Sequence, residues 1–259
     1  MGSRLDRADL TDDALTGTFR VWQRAKGHRY SLDDVLTAWE ATQGTRPRTH
    51  LDLGCGIASV LLMVAYRYEG LSAVGVEAQR QSIELADRNI ERNGLRNRVR
   101  LVHGDLRDAA VQATLGGPFD LITGTPPYMP PGTSTPSPDP QRRFARIEMR
   151  GGVEDYLAAA GRLLAPEGRL VVCCDARTPE RVHAGAKAAG LVPIQQRDAV
   201  PRAGRSALFS VWTLARSGSF RCLDPFVARD EEGRRTEAYV RVRHDFGLEQ
   251  RLDPRCESP

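Results

Sequence analysis

Lysine is almost absent from this sequence, whereas arginine is abundant. Of its 37 basic residues only Lys26 and Lys187 are lysine, which leaves 37 minus 2, or 35, arginines. A GC-rich genome would favour arginine codons, and phosphate recognition would favour the planar guanidinium, which makes two-point contacts. Both interpretations stay open at this point, because the net charge is only +4.

Cysteine is also scarce, and its spacing argues against several classes of protein. The five cysteines stand at positions 55, 173, 174, 222 and 256, with no Cys-x-x-Cys pair and no metal-like Cys/His spacing. We therefore predict no metal site, no disulfide framework and a reducing compartment. No run of about 18 consecutive apolar residues is present. We accordingly predict no membrane segment and a cytoplasmic location.

What is present is the composition and pattern of an α/β protein. The 259 residues are 41% hydrophobic and 27% charged, which suits one large domain with appendages. From residue 49 to 216, short apolar runs alternate with longer amphipathic runs, the pattern of βαβ units. The last two apolar runs are joined by a polar loop, 197–206, rather than by a helix, so we expect antiparallel strands there. The predicted strands are 50–53, 73–77, 99–103, 119–123, 168–174, 191–196 and 207–214.

The predicted fold is therefore a Rossmann-like, seven-stranded, mostly parallel sheet with an antiparallel last strand and helices on both faces. Ser31 is a typical helix N-cap residue, so a further helix is expected from there to about Gln43, ahead of the core. After the core, a short strand near 226–228 and a helix near 236–246 are predicted. The predicted core helices are 58–68, 79–93, 153–164 and 179–189.

Glycines, acids and a proline pair follow four successive predicted strands. Ligands of open α/β sheets bind where the carboxyl ends of the strands meet, so these residues predict one common site. A dinucleotide is not favoured, because Ser59 stands where that fingerprint has its third glycine. In chain order the predicted site residues are Asp52, Gly54, Cys55 and Gly56, then Glu77 and Ala78, then Gly104, Asp105 and Leu106, and finally Thr125, Pro126, Pro127 and Tyr128.

The acids in this series suit a nucleoside ligand with an amino-acid tail. A carboxylate at Glu77 can accept hydrogen bonds from both hydroxyls of a ribose. One at Asp105 can accept a hydrogen bond from an adenine amino group. Asp52 and the glycine turn that follows it suit a cofactor that carries an amino acid and no phosphate. The strand ends are therefore predicted to hold such a cofactor.

The sequence resembles a known family at four places. Asp-Leu-Gly-Cys-Gly at 52–56 resembles the cofactor loop of class I S-adenosylmethionine-dependent methyltransferases. Thr-Pro-Pro-Tyr at 125–128 is similar to the Asn/Asp-Pro-Pro-Tyr/Phe signature of their amino-methylating branch. Within that branch, Arg-Tyr-Ser-Leu-Asp-Asp-Val-Leu at 29–36 and Thr-Glu-Ala-Tyr at 236–239 resemble the tRNA(valine) N6-adenine methyltransferase family. The resemblance extends over about residues 19–246.

This resemblance implies an activity, a cofactor and an organisation of the chain. It implies S-adenosylmethionine as the cofactor and methyl transfer to the exocyclic N6 amine of an adenine in RNA, with tRNA as the expected partner. It implies an N-terminal arm and helix that cover the cofactor site (1–48), an S-adenosylmethionine-binding core (49–216) and a C-terminal appendage packed on the core (217–259). Asp33, on the covering helix, is a further candidate cofactor-site residue, and a first-turn helix acid is its alternative role.

The Pro-Pro-Tyr signature has a physical basis. The lone pair of an exocyclic adenine amine is delocalised, so acceptors on its two N–H bonds are needed to aim it at the methyl group. Pro126 offers a backbone carbonyl and Tyr128 an aromatic face for the base. Thr125 departs from the family pattern, because its hydroxyl is shorter and less directed than an amide or carboxylate oxygen. Three outcomes follow: adenine methylation with this hydroxyl as acceptor, methylation of a protein glutamine or small amine, or a cofactor-binding module with weakened catalysis.

Arginines flank the predicted site. Arg142, Arg143 and Arg146 follow a proline-rich loop at 129–140, and Arg202 and Arg205 lie in the polar loop before the last strand. We predict that these five arginines bind the RNA substrate. The C-terminal segment from residue 216 onward contains nine arginines and nine acids, so its balanced charge gives no such signal.

Overall fold

The computed structural model describes residues 7–27, 29–128 and 151–248. Arg142, Arg143, Arg146 and the proline-rich loop lie outside the described residues, so the roles predicted for them stay predictions. The strands are β1 (Leu10–Ala14), β2 (Arg20–Arg24), β3 (Thr49–Leu53), β4 (Ser72–Glu77), β5 (Val99–His103), β6 (Phe119–Gly124), β7 (Leu164–Asp175), β8 (Val192–Val200), β9 (Phe209–Ala215), β10 (Arg221–Cys222) and β11 (Phe226–Val227). The helices are a 3-10 turn (Arg7–Asp9), α1 (Leu32–Ala41), α2 (Ser59–Arg67), α3 (Arg80–Arg92), α4 (Ala109–Leu115), α5 (Val153–Leu163), α6 (Pro179–Ala188) and α7 (Glu237–Asp245).

One mixed sheet forms the centre of the described structure. Its strand order is β10-β8-β9-β7-β6-β3-β4-β5, and β11 also pairs with β8. All of its pairings are parallel except those of β9, which runs antiparallel to β7 and β8. The predicted sheet with an antiparallel last strand is confirmed. The short strands β10 and β11 extend it beyond the predicted edge.

Two apolar cores cover the two faces of this sheet. Side chains of a strand alternate between the faces, so Val171 and Cys173 of β7 join one core while Leu170 and Val172 join the other. Helices α1, α2, α3 and α7 contribute to the first core, and α4, α5 and α6 contribute to the second. The sheet therefore has helices on both faces, as predicted.

The hairpin β1–β2 and helix α4 were not predicted, nor were the short strand β10 and the 3-10 turn. The hairpin is attached to α3 by the fully buried side chain of Asn89. Its Oδ1 accepts from the Trp22 amide at 2.7 Å, and its Nδ2 donates to the carbonyls of Trp22 and Ile57, both at 3.0 Å. Helix α4 has seven residues and begins at a cap in which the Asp108 carboxylate accepts from the Ala110 amide at 2.8 Å.

The prediction of a loop at 197–206 is wrong for residues 197–200. Strand β8 continues to Val200, so Arg197 lies on a strand. Its guanidinium forms a largely buried ion pair with Glu40 of α1 and lies 5.6 Å from the centre of the Trp39 ring. This arginine therefore joins α1 to the sheet and is not available to a substrate.

The C-terminal segment packs against helix α1. The predicted helix near 236–246 is observed as α7, where the Thr236 hydroxyl accepts from the Tyr239 amide at 3.2 Å. Asp245 at its end accepts from the indole nitrogen of Trp39 at 2.8 Å. The division of the chain into three parts stays a prediction. In the described ranges, no helix combines the length and the apolar character needed to cross a bilayer.

Candidate active site

The carboxyl ends of β3, β4, β5 and β6 meet at one edge of the sheet and border a cleft. Because β3 lies between β4 and β6, the strand order reverses at this point, which is where open α/β sheets bind ligands. Four predicted residues do not line the cleft: Asp33, Asp52, Pro126 and Tyr128. Of these, Asp52 and Pro126 are buried. Ten predicted residues do line it: Gly54, Cys55, Gly56, Glu77, Ala78, Gly104, Asp105, Leu106, Thr125 and Pro127.

The turn after β3 needs glycine. Gly54 and Gly56 have φ angles of +63° and +55°, a region that side-chain-bearing residues rarely adopt. A Cβ atom on Gly54 would also lie 2.2 Å from the hydroxyl oxygen of Tyr156, whereas one on Gly56 would meet nothing within 4 Å. The buried Tyr156 ring therefore rests directly on the backbone of the turn. The bare backbone at Gly56 leaves room for a ligand to approach closely.

Replacing Gly54 by alanine is expected to destabilise the protein more than the same change at Gly56. Both changes impose about 1–2 kcal/mol of left-handed strain, and only the first also displaces Tyr156. We expect Gly54→Ala to cost roughly 1 kcal/mol more in the free energy of unfolding, measured with urea. Adding Tyr156→Phe should recover part of that difference. Equal losses for the two alanine variants would contradict the contact.

Glu77, at the end of β4, is aimed at this turn by two backbone groups. Its Oε2 accepts from the Gly56 amide at 3.0 Å, and its Oε1 accepts from the Gln79 amide at 2.6 Å. These two contacts fix the direction of the carboxylate, a group that accepts hydrogen bonds from ribose hydroxyls. The residues present therefore fit a ribose at the end of β4.

A buried hydrogen-bonded chain lies beneath the turn. His50 Nε2 and Thr123 Oγ1 are 2.7 Å apart, and the Thr123 hydroxyl donates to Asp52 Oδ1 at 2.7 Å. The other carboxylate oxygen, Oδ2, makes no hydrogen bond within the described residues. Burial raises the pKa of Asp52 to about 7, against the opposing effect of the Thr123 hydrogen bond. Burial lowers the pKa of His50 to about 3, so its ring is neutral and donates to Thr123.

Helix α1 places two acids beside the cleft, and Asp34 rather than the predicted Asp33 lines it. Asp34 accepts from the Ser31 amide at 2.9 Å and from the Ser59 hydroxyl at 3.2 Å. Burial, and then the charge of Asp33, raises the pKa of Asp34 to about 8. Asp33 accepts from the Ser31 hydroxyl and from the Tyr128 hydroxyl, the latter at 3.4 Å. Asp33 therefore links helix α1 to the Pro-Pro-Tyr segment.

The Thr-Pro-Pro-Tyr segment leaves the carboxyl end of β6 near the centre of the sheet. Thr125 and Pro127 line the cleft, whereas Pro126 is buried. The Tyr128 ring stacks on Phe209 of β9, with ring centres 6.3 Å apart. Burial raises the pKa of Tyr128, so its hydroxyl stays protonated. Its predicted stacking on a substrate base stays a prediction.

The carboxylate of Asp105 is engaged by a neighbouring side chain. Arg107 donates to its Oδ1 from Nε at 3.0 Å and to its Oδ2 from Nη2 at 2.7 Å. This ion pair is exposed, so it contributes little to stability. An adenine amino group at Asp105 would share the carboxylate with Arg107.

Neither Arg202 and Arg205, predicted to bind substrate, nor Arg29 lines this cleft. Arg202 and Arg205 are exposed in the loop between β8 and β9, and Arg202 donates to the Glu231 backbone carbonyl. Before α1, Arg29 is paired with Asp13 at 3.0 Å. Within the described residues, no group of His, Cys, Asp and Glu side chains could hold a metal ion.

Sequence reasoning missed several residues that line the cleft. Asp34 stands three residues after the N-cap residue Ser31, where a capping role accounts for a carboxylate without a ligand site. Tyr156 carried none, because it comes from α5, far along the chain from the four strand ends. The unpredicted lining residues are Tyr30, Asp34, Ile57, Ser59, Val76, Gln79, Ser82, Gly151 and Tyr156.

Comparison with known proteins agrees with this geometry. A family model described as a methyltransferase domain matches residues 51–131. The chain is 32% identical over 158 residues to a tRNA1(Val) (adenine(37)-N6)-methyltransferase of Porphyromonas gingivalis, and the match covers 60% of this chain and 61% of that protein. It is 25% identical over 232 residues to the protein of the same name from Haemophilus influenzae strain PittGG, covering 89% and 96% of the two chains.

The fold also matches a solved structure. The structure described as a predicted O-methyltransferase from Agrobacterium tumefaciens has a TM-score of 0.64 and 18% identity, covering 85% of this chain and 100% of that one. Such a likeness shows the fold. Methyltransferases of this class imply S-adenosylmethionine as the methyl donor, and the glycine turn and Glu77 fit it. A methyltransferase-domain model thus matches residues 51–131, and the chain resembles the tRNA1(Val) (adenine(37)-N6)-methyltransferases over a larger part of its length.

Proposed function

We propose that this chain is an S-adenosylmethionine-dependent N-methyltransferase that modifies the exocyclic N6 amine of an adenine in RNA, with tRNA as the substrate class. The observation that carries the proposal is the position of Thr125 and Pro127, which line the same cleft as Gly56 and Glu77. The names of the relatives support RNA as the substrate. A tRNA substrate would place the enzyme in the cytoplasm.

The residues of this chain would contribute mainly by positioning. The glycine turn and Glu77 would hold the cofactor, which supplies an electrophilic methyl group when bound. The Thr125 hydroxyl and the Pro126 carbonyl would accept the two N–H bonds of the adenine amine and turn its lone pair toward the cleft. This arrangement requires no charged side chain at the acceptor position, so a hydroxyl can substitute at reduced efficiency.

Label transfer from S-adenosylmethionine tests the substrate class. The protein is incubated with cofactor labelled in the methyl group and with either total tRNA or total protein from the same cells. Label in tRNA, recovered as N6-methyladenosine after digestion, is the expected result. Label in protein alone would reject the RNA substrate in favour of a glutamine or another amine. Label in neither pool would favour a cofactor-binding module with weakened catalysis.

Replacing Thr125 by asparagine is expected to raise the rate of adenine methylation. An amide oxygen is aimed more directly than a hydroxyl, and one such hydrogen bond corresponds to as much as about 100-fold in kcat. Thr125→Val, which keeps the shape and removes the acceptor, should lower kcat instead. Calorimetry should show equal affinity for S-adenosylmethionine in both variants. Loss of activity in Thr125→Asn, with cofactor binding intact, would indicate a different acceptor.

A further inference from the structure

A second cleft adjoins the candidate active site and is lined by basic residues. It lies between the start of α1 and the segment that leads into α7. Arg29, Arg229 and Arg235 line it, and none of its lining residues in the described part of the chain is Asp or Glu. The ring of Tyr30 lines both this basic cleft and the candidate active site. A chain bound along the basic cleft would therefore be led toward the site.

Two of these arginines have no carboxylate partner within the described residues. Arg229 is exposed and donates to the Gly233 carbonyl at 2.6 Å. The guanidinium of Arg235 is exposed and lies 5.6 Å from the centre of the Tyr239 ring, a cation–π contact that holds it at the cleft. Arg29 differs, because Asp13 already pairs with it.

Two acids of the C-terminal segment pair with an arginine outside the basic cleft. Arg234, which does not line the cleft, pairs with Asp230 at 2.8 Å and with Glu232 at 2.9 Å. The segment has equal numbers of arginines and acids, but its charges are not paired evenly. Arg234 pairs with two acids, whereas the neighbouring Arg235 pairs with none among the described residues. The positive charge is left on the cleft side.

The loop between β8 and β9 joins the same surface. The Ala203 amide donates to the Arg229 carbonyl at 2.8 Å, and Pro201 lines the basic cleft. Arg202, predicted to bind substrate, lies against the turn that carries Gly233. Arg202, which the sequence predicted to bind substrate, therefore lies beside the basic cleft, which the sequence did not predict.

We propose that the basic cleft binds a backbone phosphate of the RNA next to the modified adenine, with Arg229 and Arg235 as its ligands and Tyr239 orienting Arg235. The guanidinium fork suits phosphate oxygens, and phosphate contacts fix the register of a nucleic acid on its protein. This inference rests on the proposed function, because it names the surface that would hold the substrate.

The double variant Arg229→Ala/Arg235→Ala tests the proposal, with Arg234→Ala as the matched control. Binding of tRNA is measured by fluorescence anisotropy over a series of salt concentrations. Each lost phosphate contact lowers the slope of log K against log salt concentration by roughly 0.7–0.9. Because both arginines contact the same phosphate, we expect a reduction of about 0.8 in the double variant and little change in the control. For methylation, KM for RNA should rise about tenfold or more, while kcat and the affinity for S-adenosylmethionine stay unchanged.

The outcomes separate this inference from the proposed function. If the wild type methylates tRNA and the double variant keeps its slope and KM, the phosphate site is wrong and the function stands. If the wild type binds tRNA without methylating it and the double variant loses that binding, the phosphate site stands and the function is wrong. If the wild type labels only protein, and the double variant loses that labelling, the cleft binds an acidic peptide and the inference is wrong. An unchanged affinity for S-adenosylmethionine shows that the variants are folded.

Discussion

Replacing Glu77 by alanine is expected to weaken the binding of S-adenosylmethionine by about 100-fold or more. The Glu77 carboxylate is held toward the turn by the Gly56 and Gln79 amides, at the strand end where a carboxylate would accept from two ribose hydroxyls. A hydrogen bond to a charged group contributes about 1.5–3 kcal/mol, so the loss of two corresponds to about 3–6 kcal/mol. Each 1.4 kcal/mol is roughly tenfold in the dissociation constant, which calorimetry measures directly.

Glu84→Ala is the matched control for this experiment. It removes the same charge from an exposed side chain of α3 whose partner, Arg80, is also exposed. Its affinity for the cofactor should equal that of the wild type. Glu77→Gln separates charge from shape, since it retains one acceptor oxygen and should bind with intermediate affinity. If Glu77→Ala is folded and binds as tightly as Glu84→Ala, the assignment of the cofactor to this cleft is wrong.

The sheet could be predicted from the sequence because its central strands are short segments buried on both faces and separated by amphipathic helices. Four of the five residues of β3 are buried, and the run from Leu170 to Cys174 in β7 is buried throughout. The hairpin β1–β2 could not be predicted in the same way, because its strands are short, charged and only half buried. It depends on two polar side chains, Asn89 and Asn93, which bond the backbone of Trp22 and Arg20 from 67 and 73 residues away. Contacts of this kind leave no periodic pattern in the sequence.

The candidate site was predictable where its residues follow strands and unpredictable where they arrive from helices. Parallel strands bring their carboxyl ends to one edge, so Gly56 and Glu77 had to lie near each other once the sheet was known. Tyr156 reaches the same edge across the face of the sheet, and only the packing of α5 determines that.

The basic cleft could not be predicted for a related reason. Charge counts do not show which arginine an acid pairs with, and the pairing of Arg234 with Asp230 leaves Arg235 unbalanced.

At Asp52, protein stability and cofactor binding favour opposite states of the carboxyl group. The carboxyl group is buried, and its pKa of about 7 in the folded protein lies well above its value of about 3.9 in an unfolded chain. The folded state therefore holds the proton more tightly than the unfolded state does. Its contribution to stability is complete below about pH 4 and is lost as the pH rises through 7. Asp34, whose pKa is raised to about 8, acts in the same direction.

Replacing Asp52 by asparagine is consequently expected to stabilise the protein at pH 8 while weakening its affinity for the cofactor. The amide oxygen can still accept from Thr123 and carries no charge to desolvate, so the gain has an upper bound of ~4 kcal/mol at 1.36 kcal/mol per pKa unit. Urea unfolding at pH 5, 6, 7 and 8 should give a flatter dependence than the wild type, with the remaining slope due to Asp34. Calorimetry at pH 8 should show weaker binding, because the cationic cofactor loses a negative charge behind the turn. Asp87→Asn removes the same charge from an exposed side chain and should leave the stability and the cofactor affinity unchanged. Parallel stability curves for the wild type and Asp52→Asn would show that Asp52 does not titrate in this range.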